Sequence, residues 1–180
     1  MERTLLWQAK QDYLAQCLKR TLNVPGLTAE IGVYLGGTTR FIATNNHGKA
    51  HIAADTFGPG IIGATSKDQH VNGDFNVNGN EVLNYLHVLP NVIPIVGYFP
   101  QSFQYVHARY SFVHVDLDTY QGTVDSLDYF WDKLNTGGIL LYDDWQWDNC
   151  KGVTEALQEF LTKVPAHFEQ GQHQLALTKQ

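Results

Sequence analysis

At 180 residues the chain has room for a single domain with its own core, and 43% hydrophobic against 17% charged residues is the composition of a soluble globular protein. Twelve Lys and Arg against eighteen Asp and Glu give a formal net charge of −6 with no basic run, which argues against a nucleic-acid partner. The opening Met1–Trp7 lacks the apolar core of a signal peptide and no stretch is long enough to cross a bilayer, so a cytoplasmic protein with no membrane partner is expected.

Segment 1–24 reads as an N-terminal helix. Leu6, Ala9, Tyr13, Leu14, Cys17 and Leu18 recur at helical spacing over 4–22, with Lys10, Lys19 and Arg20 on other faces. Such a helix packs on the domain and is free to cover a ligand or a second subunit, so a homo-oligomer stays open. Val24-Pro25-Gly26 ends it. Cys17 reads as a small apolar residue, and with Cys150 far away in sequence both thiols are expected to be reduced. A strand over Leu27–Ile31 then feeds the glycine-rich turn Gly32–Gly37 and a helix opening at Thr38, an arrangement that brings backbone amides close to a nucleotide or nucleoside. Glu30, just before the first glycine, disfavours a pyrophosphate and favours a cationic or hydroxyl-bearing ligand. The second strand, Lys49–Asp55, ends in an acid placed to accept from ribose hydroxyls.

Residues 58–80, rich in Gly and Asn, read as a long surface loop and a candidate lid. Glu81–Leu89 is predicted helical and Asn91–Gly97 a third strand, followed by Tyr98-Phe99-Pro100. The most informative stretch runs from Ser111 to Trp145. It reads as strand, turn, helix, turn and strand, with Asn135-Thr136-Gly137-Gly138 stopping the helix. Asp116 and Asp118 follow the first strand, and Asp143 and Asp144 the second. A right-handed parallel unit puts both acidic pairs on one sheet edge, roughly 5 Å apart if the strands are neighbours. Unpaired carboxylates at that distance raise each other's pKa, so a positive group is expected among them. Val153–Leu161 forms a last amphipathic helix, and residues 167–177 around Gly171 a closing antiparallel hairpin. Alternating strands and helices define an α/β domain spanning 1–180.

These residues resemble the class I S-adenosylmethionine-dependent methyltransferases, and among them the macrocin O-methyltransferase (TylF-like) family. The resemblance lies in Glu30-Ile31-Gly32-Val33-Tyr34-Leu35-Gly36-Gly37-Thr38, Ala54-Asp55-Thr56-Phe57, Gly97-Tyr98-Phe99, Asp116-Leu117-Asp118-Thr119-Tyr120-Gln121-Gly122-Thr123 and Tyr142-Asp143-Asp144. It implies a Rossmann-like, doubly wound, mostly parallel seven-stranded sheet with a C-terminal antiparallel hairpin. It also implies that Glu30, Gly32, Gly36, Gly37 and Thr38 hold the methionine part of S-adenosylmethionine. Asp55, with Thr56 and Phe57 beside it, would bind the ribose, and Tyr98 and Phe99 would lie near the adenine. Asp116, Asp143 and Asp144 would ligate Mg²⁺, an ion that prefers carboxylate and water oxygens.

The activity this implies is methyl transfer to a hydroxyl of a small sugar- or polyol-like molecule. Asp116 acts there through the metal and Asp118 orients the acceptor. His114 is read as buried behind the metal, and Trp145 and Trp147 as either acceptor-pocket walls or packing. Two other classes stay open: a cofactor-binding module without turnover, and a metal-dependent hydrolase built on the acidic cluster.

Overall fold

Residues 2–180 are described by a computed structural model in which helices and strands alternate. They are α1 (Gln8–Arg20), β1 (Leu27–Ile31), α2 (Gly37–Asn45), β2 (His51–Asp55), α3 (Gly79–Leu86), β3 (Val92–Val96), β4 (Tyr110–Val115), α4 (Tyr120–Phe130), β5 (Leu134–Asp143), α5 (Lys151–Lys163), β6 (His167–Gln170) and β7 (Gln174–Thr178). The strands form one seven-stranded sheet in the order β3-β2-β1-β4-β5-β7-β6. The first five are parallel, and β7 enters antiparallel between β5 and β6. The strand order reverses between β1 and β4, which is where an open α/β sheet leaves a crevice at its carboxyl edge.

Every residue of β4 is buried, as expected of a central parallel strand covered on both faces. Val113 and Val115 pack with Leu127 and Phe130 of α4 and Leu157 of α5 on one face. Phe112, Ile139 and Leu141 pack with Leu14, Cys17 and Leu18 of α1 and Ile42 of α2 on the other. The period of two in a strand therefore puts His114 on the α1 side. Among the described residues, no helix is long and apolar enough to cross a membrane.

Two details differ from the sequence pattern. Residues 4–7 precede α1 rather than belonging to it, and they run past the glycine turn, where Gly37 N–H donates to Arg3 O at 3.1 Å. The Gly137-Gly138 pair does not stop α4, which ends at Phe130 and a short 3₁₀ turn over Trp131–Lys133. Instead the pair belongs to β5, bonding to Lys179 through Gly137 N to Lys179 O (2.8 Å) and Lys179 N to Gly138 O (3.0 Å). The β4–β5 register jumps from Tyr110↔Leu134 to Phe112↔Ile139, and Gly137, at φ +82, takes up the excess as a bulge.

Candidate active site

A cavity of about 320 Å³ opens at the carboxyl ends of β1, β2, β4 and β5. Its floor is set by Gly32, at φ +90: a Cβ there would lie 1.8 Å from Asp116 O, so only glycine lets the β1 tip touch the β4 tip. Asp55 shapes the turn above it. Oδ2 accepts from Val33 N (2.7 Å) and Tyr34 N (3.0 Å), while Oδ1 accepts from Phe57 N (2.8 Å) and the Thr56 hydroxyl (3.2 Å). Glu30 is buried, accepting from the Thr39 hydroxyl and pairing with His114 Nδ1 at 3.1 Å.

Of the residues expected around a cofactor, Glu30, Gly32, Thr38, Asp55, Thr56, Tyr98 and Phe99 line this cavity. Three lie off its wall. Gly36 faces Tyr85 and Leu86, Gly37 faces the backbone of Arg3, and Phe57 is buried with Val33, Val82 and Leu86. The last two show why a motif match does not place a side chain, since the N-terminal segment and the α2–α3 core take those positions.

At the other end of the cavity the four acids gather, and two of them, Asp143 and Asp144, pair with a lysine. Lys10, buried in α1, puts Nζ 2.7 Å from Asp143 Oδ2 and 3.0 Å from Asp144 Oδ1. Burial works against its charge, yet the two carboxylates hold its proton more firmly than usual. Burial, then the charges of Asp143, Asp118 and Asp144, pushes the Asp116 carboxyl well above the usual range. Burial also raises Asp118, which then hydrogen-bonds Asp144. Asp143 is raised by burial and by the charge of Asp144, which together outweigh Lys10. Asp144 goes the other way: burial opposes its ionisation, but the bond from Asp118 and the Lys10 ammonium hold it low. Asp118 and Asp144 both have left-handed backbones (φ +60 and +61), which bend the chain at the strand tips.

Asp116, Asp118 and Asp144 each bring a carboxylate oxygen within 4.8 Å of the others. Asp143, expected in this set, is held instead by Lys10, and its Oδ1 is buried with no hydrogen-bond partner among the described residues. An all-oxygen set of carboxyls, whose protons a bound ion would displace, fits a hard divalent cation such as Mg²⁺.

The cavity rim comes from the 58–80 loop, from Trp147 and from Trp7. Trp7 and Trp147 stand 5.6 Å apart by ring centroids, both against His173, whereas Trp145 is in the core. The 58–80 loop contributes Ile61, Ile62, His70 and Phe75 to the wall. It is tied down where α4 and α5 begin, because Asp68 Oδ1 accepts from Tyr120 N (2.7 Å) and Gln69 Oε1 from Lys151 N (3.0 Å). Lys10, expected on a face of the helix away from the apolar one, lies instead on its buried face, and Trp7 carries no local signal in the sequence. Lys10 had a signal: it sits four residues before Leu14 and seven before Cys17, the spacing of one helix face.

The sequence matches the family described as a methyltransferase domain over residues 29–145, well over half of its length, and the chain belongs to that family. No curated protein sequence matches it. Among solved structures it is similar to the O-methyltransferase NovP, with 20% identity, 98% of this chain and 81% of that one covered, and a TM-score of 0.84. It is also similar to CalS11, a TDP-rhamnose 3′-O-methyltransferase of calicheamicin biosynthesis, with 21% identity, 97% and 81% covered, and a TM-score of 0.65. An O-methyltransferase from Bacillus cereus in complex with SAH gives 12% identity, 97% and 83% covered, and a TM-score of 0.67. At these identities the likenesses show a shared fold, the class I methyltransferase fold.

Proposed function

We propose that the chain transfers a methyl group from S-adenosylmethionine to a hydroxyl of a small sugar- or polyol-like molecule, assisted by Mg²⁺, in the manner of the macrocin O-methyltransferase subfamily. One observation carries this reading: a single cavity joins the glycine turn of β1 to the carboxylates at the tips of β4 and β5. NovP and CalS11 are named as O-methyltransferases, CalS11 for a nucleotide-linked sugar, and the Bacillus cereus structure holds SAH, which supports the same cofactor and acceptor chemistry here.

S-adenosylmethionine supplies a methyl already activated on a sulfonium. Glu30, deep in the cavity, presents negative charge toward the cationic end of such a ligand, while the turn held by Asp55 and the rings of Tyr98 and Phe99 offer the nucleoside a preformed wall. Asp116, Asp118 and Asp144 would hold the cation, which supplies Lewis acidity that favours the alkoxide of the acceptor. Asp118, at the α4 end of the set, orients the acceptor hydroxyl and is placed to receive its proton once ionised. Trp7, Trp147, Ile61 and Phe75 exclude water and offer ring and apolar faces to the acceptor. The test is calorimetric titration of S-adenosylhomocysteine with and without Mg²⁺, followed by a mass-spectrometric screen of nucleotide-linked sugars for a gain of one methylene. Binding without any methylated product would leave a cofactor-binding module; no binding would remove the proposal.

A further inference from the structure

We propose that the cleft carries a second cation site, thiophilic rather than hard, formed by His70, Asp118 and Cys150. A ring nitrogen of His70, a carboxylate oxygen of Asp118 and Sγ of Cys150 all lie within 4.8 Å of one another. The thiol stands where the core meets the cavity: Sγ donates to Asp118 Oδ1 (3.7 Å) and Asp144 Oδ2 (3.5 Å), so a bound ion takes the place of the proton that burial and these acids hold on the sulfur. His70 is oriented from behind. Its Nδ1 pairs with Asp74 Oδ2 at 3.2 Å, and that oxygen also accepts from Val71 N at 3.0 Å, while Phe75 packs on the ring at 5.0 Å. A carboxylate on one nitrogen leaves the other as the ligand, the arrangement that commonly supports a metal-bound histidine.

A nitrogen, oxygen and sulfur set selects Zn²⁺ and its thiophilic relatives, whereas the Asp116–Asp118–Asp144 set is all oxygen. The two sets share Asp118, so an ion in either one draws on the same carboxylate. Binding replaces the thiol proton of Cys150, which leaves to solvent. His70 belongs to the 58–80 loop, while Asp118 and Cys150 precede α4 and α5. An ion between them therefore staples the loop across the cavity, next to the Asp68 and Gln69 anchors already in place. Zn²⁺ bound there closes the acceptor side of the cleft. The site stands on its own geometry and does not require the methyl-transfer reading.

The experiment is titration of the purified full-length protein with Cd²⁺, following the thiolate-to-metal charge-transfer absorbance, with tryptic cleavage after Lys67 as a second readout. The wild type and Cys17→Ala should show the band, and Cys150→Ser should not. His70→Ala and Asp118→Asn should need at least about tenfold more Cd²⁺, the scale for losing a metal-supporting side chain. Cd²⁺ should slow cleavage after Lys67 in the wild type and not in Cys150→Ser. No band in the wild type, a band that follows Cys17 rather than Cys150, or an unchanged midpoint in His70→Ala would each overturn the site. The His70 variant decides the matter even if Cys150→Ser does not fold, because that side chain lies on a surface loop.

Discussion

The two ends of the cavity are both strand tips bearing buried acid, yet they are finished in opposite ways. At the β1–β2 end, Asp55 and Glu30 find partners close at hand: three backbone amides and a hydroxyl for Asp55, and a hydroxyl and the His114 ring for Glu30. Most of those donors lie within a few residues of the turn, so this end is rigid before any ligand arrives. At the β4–β5 end four carboxyls crowd together and two of them, Asp143 and Asp144, share one ammonium, delivered from α1 more than a hundred residues away, while Asp143 Oδ1 has no hydrogen-bond partner among the described residues. The first end is complete in itself. At the second, burial and mutual repulsion push Asp116, Asp118 and Asp143 toward their neutral forms, and a cation bound there would displace those protons.

The comparison breaks most completely at the point where the two ends touch. Gly32→Ala places a methyl 1.8 Å from Asp116 O at a φ of +90. It should cost about 4 kcal/mol or more, a value reserved for strain that the surroundings cannot relax, and urea unfolding measures it. An unfolding midpoint near that of the wild type would mean that the tips can part without cost. Lys10→Met is next. Breaking a buried pair leaves its partners uncompensated, at about 3 kcal/mol, and here two carboxylates lose their cation together. Added Mg²⁺ or Mn²⁺ should then raise the melting temperature more in Lys10→Met than in the wild type, because Asp143 and Asp144 are freed and binding stabilises only the folded state. Equal shifts in the two proteins would show that Lys10 and the cation do not compete.

That asymmetry also governs what could be read from the sequence. The alternation of strands and helices, the glycine turn and the acids at strand tips are local patterns, and they led to the sheet, its closing hairpin and a shared edge for Asp116 and Asp143. The need for positive charge among the acids followed from Coulomb's law alone. Its source did not, because Lys10 reaches the cluster only through the packing of Leu14, Cys17 and Leu18 against β4 and β5, a contact no short window contains. The same limit applies to Gly137 and Gly138, whose helix-stopping look is overridden by pairing with Lys179 at the far end of the chain. Phe57 and Gly37 matched a motif, but tertiary packing turned them away from the cavity.

A smaller effect, of opposite sign, is expected from Asp116→Asn. A carboxyl whose folded pKa lies above its unfolded value gives stability that is fully present at low pH and lost as pH rises through the folded value. Burial and the neighbouring acids raise Asp116 in this way, so without a cation the wild type should lose stability as pH climbs from the ordinary aspartate range toward neutrality. Removing the charge should make the variant more stable than the wild type at neutral pH, with the gain fading below about pH 4, the ordinary aspartate range. Asp144, held low, contributes in the opposite direction but is present in both proteins. The gain is read as a rise in melting temperature of about 2–4 °C per kcal/mol. With Mg²⁺ present the order should invert, since the variant lacks a ligand. A variant less stable at every pH without a cation would mean that Asp116 is structurally satisfied in a way its surroundings do not indicate.

The smallest effect tests how the unfinished end is held. Thr119 caps α4, its hydroxyl accepting from Gly122 N at 3.2 Å, and Asp118 sits immediately before it with φ +60. Thr119→Ala should cost about 1 kcal/mol, the usual value of an N-cap. The backbone carbonyl of Thr119 still accepts from Thr123, so the helix itself should survive. What should change is the aim of Asp118, because the first turn that fixes its direction is loosened. Cation affinity measured by calorimetry should therefore fall several-fold while S-adenosylhomocysteine binding stays at the wild-type value, since the glycine turn and Asp55 do not depend on α4. A parallel loss of both would show that the two ends are mechanically one unit, joined through Gly32 and Asp116, and that the difference in their chemistry is not matched by independence in their motion.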